Sequence, residues 1–177
     1  MSSTNGNKIK HDNYPTPTKV IKSLVNRLQL RSTDTFLEPC VAEGNIYYSI
    51  PLPEAQKKWA EIRLGVDYLK TKFGKFDVIG TNPPFSLTCE FLEKSLSELK
   101  PDGTLFYLQR LNFFGSIKRL PFWEQVGLPN KIPIIIPRPS FVNGRSDSTE
   151  YGWLIYDNGN RFPLTPNGIS HLRTGEY

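Results

Sequence analysis

Asn82-Pro83-Pro84-Phe85 closes the apolar run that begins at Phe76, and no other segment of this chain is better equipped for chemistry. Proline fixes φ and removes a backbone donor, so two in a row end a strand in a rigid, solvent-facing turn. Such a turn gathers an amide oxygen, a free carbonyl and an aromatic face in one small cleft. Those groups suit a planar exocyclic amine. An amine of this kind is a poor nucleophile, because its lone pair is delocalised into the ring that carries it. If the Asn82 side-chain oxygen and the Pro83 carbonyl each accept an N–H, the nitrogen is drawn towards tetrahedral geometry. Its lone pair then points out for in-line transfer. The contribution is positioning and preorganised dipoles rather than a strong base. Phe85 would stack on the ring, worth roughly 1–3 kcal/mol by analogy with base–aromatic stacking.

Three further segments carry groups of interest. Leu37-Glu38-Pro39-Cys40-Val41-Ala42-Glu43-Gly44-Asn45 is a turn-rich loop following a short apolar run. Tyr14-Pro15-Thr16-Pro17 reads as a helix start, with Thr16 as N-cap and Pro17 at the first position. Backbone donors at a helix N-terminus suit a carboxylate. Glu61 and Asp67 are acids at strand ends, and a carboxylate after a second strand can accept from ribose hydroxyls.

The elements that must position these groups follow from periodicity and punctuation. After the Thr16 start, Val20, Leu24 and Leu28 share one helical face. Residues 35–37 predict a first strand, 59–62 a second and 76–81 a third. A helix is expected over 86–99, capped by Ser86, with Phe91, Leu92, Leu96 and Leu99 inward. Pro101-Asp-Gly then turns the chain into a strand over 104–109. A short helix over 117–126 and late strands over 131–136 and 151–156 complete the reading. Strands alternating with helices argue for an open α/β sheet. Ligands in such sheets sit beyond the carboxyl ends of the strands, where all the unusual segments fall.

These segments, in this order, resemble the amino-methyltransferases that use S-adenosylmethionine, with their Asn-Pro-Pro-Phe motif. Arg138-Pro139-Ser140-Phe141 followed by Asp147-Ser-Thr-Glu-Tyr151-Gly-Trp153 looks like the late motif of small phage-type adenine-N6 DNA methyltransferases. The resemblance runs from about Tyr14 to Tyr156. It implies a class I methyltransferase (Rossmann-like) fold: an open, mostly parallel sheet, flanking helices and a late antiparallel strand. It implies S-adenosyl-L-methionine as cofactor, held by Tyr14, Thr16, Glu38, Pro39, Ala42, Gly44, Asn45, Ile62 and Asn82. Glu61 takes the ribose role and Asp67 the adenine role. Asn82, Pro83, Pro84 and Phe85 become catalytic, Phe141 the opposite wall of the base pocket, and Arg138 a phosphate neighbour. Tyr151 and Trp153 are read as core. Two departures stand out. Ala42 replaces the first glycine of the cofactor loop, and the short span between Gly44 and Asn82 leaves little room for the usual helices.

The implied activity is methyl transfer to adenine N6, most readily in DNA, where the target base must be flipped out of the stack. RNA adenine or guanine N2, or a protein glutamine, is the alternative amine. A nucleic-acid-binding module of the same fold, impaired by Ala42, is the alternative without catalysis. A chain of 177 residues fits one domain, over 14–177, after a flexible 1–13. No separate recognition domain is expected. Val142–Glu150 and Asn158–Tyr177 are the spare segments, which implies short or relaxed sequence specificity, or recognition shared across a dimer. Either a monomer or a homodimer fits. Apolar content of 38% excludes the disordered class, and two cysteines with two histidines show no metal-ligand spacing. No metal site is expected. The net charge of +5 says little by itself; the excess of basic residues after Pro101 forms a diffuse surface that suits a polyphosphate partner or simply solvent. No apolar run of roughly 18 residues is present, so no membrane span is expected. A reducing, cytoplasmic compartment follows, that of a host cell for a phage-encoded protein.

Overall fold

A computed structural model describes residues 15–141 and 148–175. Residues 1–13, expected to be flexible, Tyr14, positions 142–147 of the spare segment and late motif, and positions 176–177 of the tail lie outside the described residues. The elements in chain order begin with α1 (Thr18–Val25), β1 (Phe36–Glu38), β2 (Lys57–Trp59) and β3 (Phe76–Thr81). They continue with α2 (Thr88–Glu98), β4 (Leu99–Arg110), α3 (Leu120–Val126), β5 (Lys131–Ile136), β6 (Tyr151–Asp157) and β7 (Gly168–Arg173).

The strands form one seven-stranded sheet in the order β2-β1-β3-β4-β6-β5-β7. The pairs β1/β2, β1/β3, β3/β4 and β5/β7 are parallel, and β6 runs antiparallel to both β4 and β5. This is the class I methyltransferase architecture expected from the sequence. Alternate strand residues feed two cores, because side chains point to opposite faces with period two. Phe36, Val78, Phe106, Trp153 and Ile155 pack with Val20, Ile21 and Leu24 of α1 on one face. Leu37, Ile79, Leu105, Tyr107 and Leu154 pack with Phe91 and Leu92 of α2 and Trp123 of α3 on the other. Covering both faces requires near-continuous apolar runs, as in Leu105-Phe-Tyr-Leu. Each such side chain contributes about 1.5–3 kcal/mol when buried.

The chain order doubles back between β1 and β3. From β1 it moves outward to β2, then returns to the other side at β3. That reversal opens a crevice at the carboxyl ends of β1 and β3, which is where open α/β sheets place their ligands.

Several boundaries differ from the sequence reading, each for a local reason. Pro17, not Thr16, occupies the N-cap of α1, and no side chain caps it. Thr16 precedes a proline and is pushed out of helical geometry; its carbonyl instead accepts from the Asn45 side-chain amide at 3.0 Å. The helix over 86–99 is α2, two residues shorter at its start and one at its end. Ser86 is exposed in a 3-10 turn over Phe85–Leu87, so it caps nothing. Leu99 already belongs to β4, pairing with Phe76. The turn at Pro101 is a bulge in β4, after which Thr104 pairs with Val78. The second strand ends at Trp59, leaving Glu61 beyond it.

The tail over 158–177 is not spare. Arg161 and Phe162 are fully buried, and β7 lines up along β5 from Lys131↔Gly168 to Ile136↔Arg173. Between α1 and α2 the described residues hold strands and 3-10 turns but no α-helix, in keeping with the short span noted above.

Candidate active site

Glu38 is the last residue of β1, and Asn82 directly follows the last residue of β3. Parallel neighbours ending side by side place both at one edge of the sheet. A small cleft, open to solvent at its mouth, lies there. Its walls include Thr16, Glu38, Cys40, Ala42, Asn45 and Asn82. The structure therefore brings together five of the residues expected on the cofactor, and the catalytic asparagine is one of them. Pro15, Cys40, Val41, Glu43 and Ile46 also line it and were not foreseen.

The walls are tied to one another. Thr81 Oγ1 donates to the Cys40 carbonyl at 3.3 Å, linking the end of β3 to the loop after β1. Asn45 reaches back to Thr16, linking that loop to the start of α1. The loop turns tightly, with Gly44 N–H on the Val41 carbonyl at 2.6 Å. Gly44 has φ +79°, and a Cβ there would meet the Tyr48 ring at 2.4 Å. Ala42 has φ 46°, the left-handed region that glycine adopts without cost. The alanine therefore holds a backbone shape that glycine favours.

Glu38 is 2% exposed, and its Oε2 atom has no hydrogen-bond partner among the described residues. Burial pushes its carboxyl well above the usual carboxylate range, against the Tyr47 backbone N–H, and Glu61 pushes the same way. Cys40, raised to about 12 by burial and by the same two acids, stays a thiol. Asn82 is half-buried with its Oδ1 shielded from water, while Pro83 is buried and Pro84 half-buried.

The expected nucleoside-binding acids lie elsewhere. Glu61 is 4% exposed, and its Oε2 accepts from the Ala42 N–H at 2.9 Å. Its Oε1 accepts from both Arg63 N and Arg63 Nε. Burial alone would raise this carboxyl, but the Arg63 and Ala42 bonds outweigh it and hold it low. A carboxylate offers about four lone-pair sites, so this arrangement leaves room for one further donor rather than the two hydroxyls of a ribose. Asp67 is occupied within its own turn by the Leu69 N–H and by Lys70. Ile62 is exposed, and none of these three lines the cleft. Pro39 and Gly44 are buried behind it.

Phe85 and Phe141, the two expected walls of a base pocket, both pack on Tyr151, at ring-centroid distances of 6.1 and 4.9 Å. Tyr151 was read as core; it is buried, yet both of those rings pack on it. Arg110 lies over the Phe85 ring, its guanidinium carbon 4.9 Å from the centroid. Sequence reasoning passed over Arg110. Its signal was its place at the carboxyl end of β4, beside the strand that carries Asn82. Arg138 is exposed and paired with Glu150.

Among the described residues, no cluster of histidine, cysteine and acids could hold a metal ion. No helix there is long and apolar enough to cross a membrane.

No family model and no curated protein matches the sequence. Solved structures do match in shape. One from Listeria monocytogenes, described as a class I S-adenosylmethionine-dependent methyltransferase, superposes with a TM-score of 0.66 at 13% identity, over 97% of this chain and 68% of that one. The M protein of the type I restriction enzyme EcoKI gives 0.63 at 12% identity, over 93% and 47%. A dimethyladenosine transferase from Plasmodium falciparum gives 0.56 at 16% identity, over 79% and 60%. The chain thus spans about half to two thirds of the length of these three structures. Its fold is that of the class I S-adenosylmethionine-dependent methyltransferases.

Proposed function

We propose that this protein transfers a methyl group from S-adenosylmethionine to an exocyclic amine of a nucleic-acid base, adenine N6 in DNA. The observation that carries the reading is the shared cleft. The Asn82 amide and the Glu38 carboxyl stand in its walls together, at the reversal point of the sheet. A fold likeness alone assigns no substrate. Support for DNA comes from the Asn-Pro-Pro-Phe turn, the aromatic walls beside it and the net charge of +5. The EcoKI M protein, a restriction-system protein, has the same fold.

The residues present fit the cofactor. A buried carboxyl with an unsatisfied oxygen, on a residue that lines the cleft, suits an ammonium group, such as that of a methionine moiety. The N-terminus of α1, beside Thr16, suits its carboxylate. Ala42, in the left-handed backbone conformation, keeps the loop open at the point where an impaired binding module would be expected to differ. Glu61 fixes that loop through the Ala42 N–H and retains one site for a ribose hydroxyl. Asp67 and Ile62 remain the candidates for the adenine end.

Bound there, the cofactor supplies an electrophilic methyl group on a sulfonium. The protein's part is to make the amine receptive. The Asn82 side-chain oxygen, here shielded from water, would turn to the amine and, with the Pro83 carbonyl, accept hydrogen bonds from its two N–H groups. Pro83 and Pro84 hold that pair rigid, so little reorganisation accompanies the reaction. Phe85 and Phe141, set on Tyr151, sandwich a base turned out of a duplex. Monomer and homodimer both remain compatible with this chemistry.

The experiment is methyl transfer to duplex DNA, single-stranded DNA and total RNA, read by mass spectrometry of the nucleosides. N6-methyladenine from DNA is expected; methylguanine or RNA-only product overturns the substrate assignment. Asn82→Ala should lower turnover by about 10²-fold or more, the scale of removing one preorganised dipole. Cofactor affinity measured by calorimetry should change little. A variant that retains the wild-type rate defeats the mechanism, and absence of cofactor binding to the wild type favours the binding module.

A further inference from the structure

We propose that Arg110 is a positioning residue for the base-stacking ring, held in place by Tyr151. The inference rests on the methyl-transfer reading above and names how its substrate wall is set. Arg110 and Tyr151 face each other across the antiparallel pair β4/β6. Arg110 Nε donates to the Tyr151 hydroxyl at 2.9 Å. The guanidinium, fixed at that end, lies over Phe85 at 4.9 Å and over Tyr151 at 5.8 Å.

The backbone of Phe85 is held from the same strand. Gln109 Nε2 donates to Thr88 Oγ1 at 2.6 Å, and Thr88 Oγ1 donates to the Phe85 carbonyl at 3.2 Å. Gln109 Oε1 accepts from the Arg110 backbone N–H at 2.7 Å, so the two residues are locked together. The last two residues of β4 thus grip Phe85 twice, at its carbonyl and at its ring.

Ordinary packing is the plain alternative. A cation alone does not mark a functional ring, since Arg119 lies 4.4 Å over the core ring Phe113. What sets Phe85 apart is its place in the Asn-Pro-Pro-Phe turn, under a half-buried cation fixed by the hydroxyl of Tyr151, the residue on which Phe141 also packs. Cation–π attraction is directional and strengthens when desolvated, so it fixes a ring angle better than apolar contact does. The angle of Phe85 matters because the stacked base must present its amine to Asn82, three residues earlier in the same turn.

The test uses Tyr151→Phe, which removes one oxygen and keeps the ring, and Arg110→Met, which keeps the length and removes the charge. Melting temperature and calorimetric affinity for S-adenosylmethionine report on the fold and on the cofactor cleft. The substrate is a duplex oligonucleotide in which the wild type's methylated adenine has been located. A copy with 2-aminopurine at that position reports base flipping by fluorescence. Each variant should raise KM for the duplex by roughly tenfold, the order expected for a desolvated cation–π contact. The 2-aminopurine signal should fall in parallel, while cofactor affinity stays at the wild-type value.

Unchanged KM in both variants overturns the inference and leaves methyl transfer standing. So does tighter duplex binding by Arg110→Met, which would mean that the guanidinium merely occupies the base's place. Parallel loss of melting temperature and cofactor affinity would mark Arg110 as structural, and also overturns it. A wild type that methylates no nucleic acid removes the parent reading and this inference together.

Discussion

Glu38 shows how one side chain can work against the fold and for the site. Its carboxyl is buried at the end of β1 with one oxygen unsatisfied among the described residues, and burial raises its pKa well above the ordinary range. The folded state therefore holds its proton more tightly than the unfolded chain does. Stability from this group is fully present below the unfolded carboxyl pKa of about 4.3 and is lost as pH rises towards the folded value. Glutamine does not titrate, so Glu38→Gln should melt higher than the wild type at neutral pH. The gap should close as pH falls below about 4. A cationic ammonium arriving in the cleft would draw the carboxyl back to its charged form, so cofactor binding should release a proton. Calorimetry in buffers of different ionisation enthalpy measures that release. The variant should show neither the proton nor wild-type affinity. Equal melting temperatures across the pH range would mean that the carboxyl is not held protonated.

The loop between β1 and β2 is the element on which sequence and structure inform each other most. Ala42 is the visible departure from the glycine pattern, and φ 46° shows that the backbone demanded that pattern anyway. Left-handed geometry costs an L-residue about 1–2 kcal/mol, while glycine adds about 0.5–1 kcal/mol of unfolded-chain entropy. Ala42→Gly should therefore stabilise by about 0.5–1 kcal/mol in urea titration, and Ala42→Val should destabilise by more than about 1 kcal/mol. A destabilising glycine would mean that the alanine methyl is itself packed. This loop, β3 and β5 were legible because punctuation by glycine and proline acts locally. The caps were not. Thr16 and Ser86 have the right chemistry for capping, but Thr16 precedes Pro17 and Ser86 falls inside the 3-10 turn that follows Pro84. The role of Glu61 was half legible: its association with the second strand was read, its place beyond the strand's end and its grip on the Ala42 N–H were not. Arg110 and Tyr151 were hidden because cross-strand partners 41 residues apart leave no local pattern. β7 was missed because, of its six residues, only Leu172 is buried, which is how an exposed edge strand reads in sequence.

At the scale of the whole molecule, the sheet has chemistry at one edge and charge at the other. The cleft opens at the carboxyl ends of β1 and β3, and a buried network crosses their amino ends. Arg161 donates through Nε and Nη2 to both oxygens of Asp34, and through Nη1 to the Asp102 carbonyl. Lys131 pairs with Asp157, whose other oxygen accepts from Thr104 and from the Arg161 backbone. The Arg161 carbonyl accepts from Gln29 beyond α1. The segment after β6 thus ties α1, β1, β4 and β5 together, far from the site. Arg161 counts as surface charge in the sequence because its partner Asp34 lies 127 residues away. Removing one member of a buried pair leaves the other uncompensated, so Arg161→Met should cost about 3–5 kcal/mol in urea unfolding at pH 7. Burial alone would raise Asp34, but the Arg161 bonds outweigh it and hold its pKa low; Lys131 and Thr104 do the same for Asp157. Stability from such acids is present above the unfolded value of about 3.9 and lost as pH falls through the folded one. The wild type should therefore lose stability steeply below about pH 4, and its advantage over Arg161→Met should shrink there. Cofactor affinity of the folded variant should match the wild type, because nothing in the network touches the cleft. A parallel loss of affinity at neutral pH would show that the two edges of the sheet are coupled.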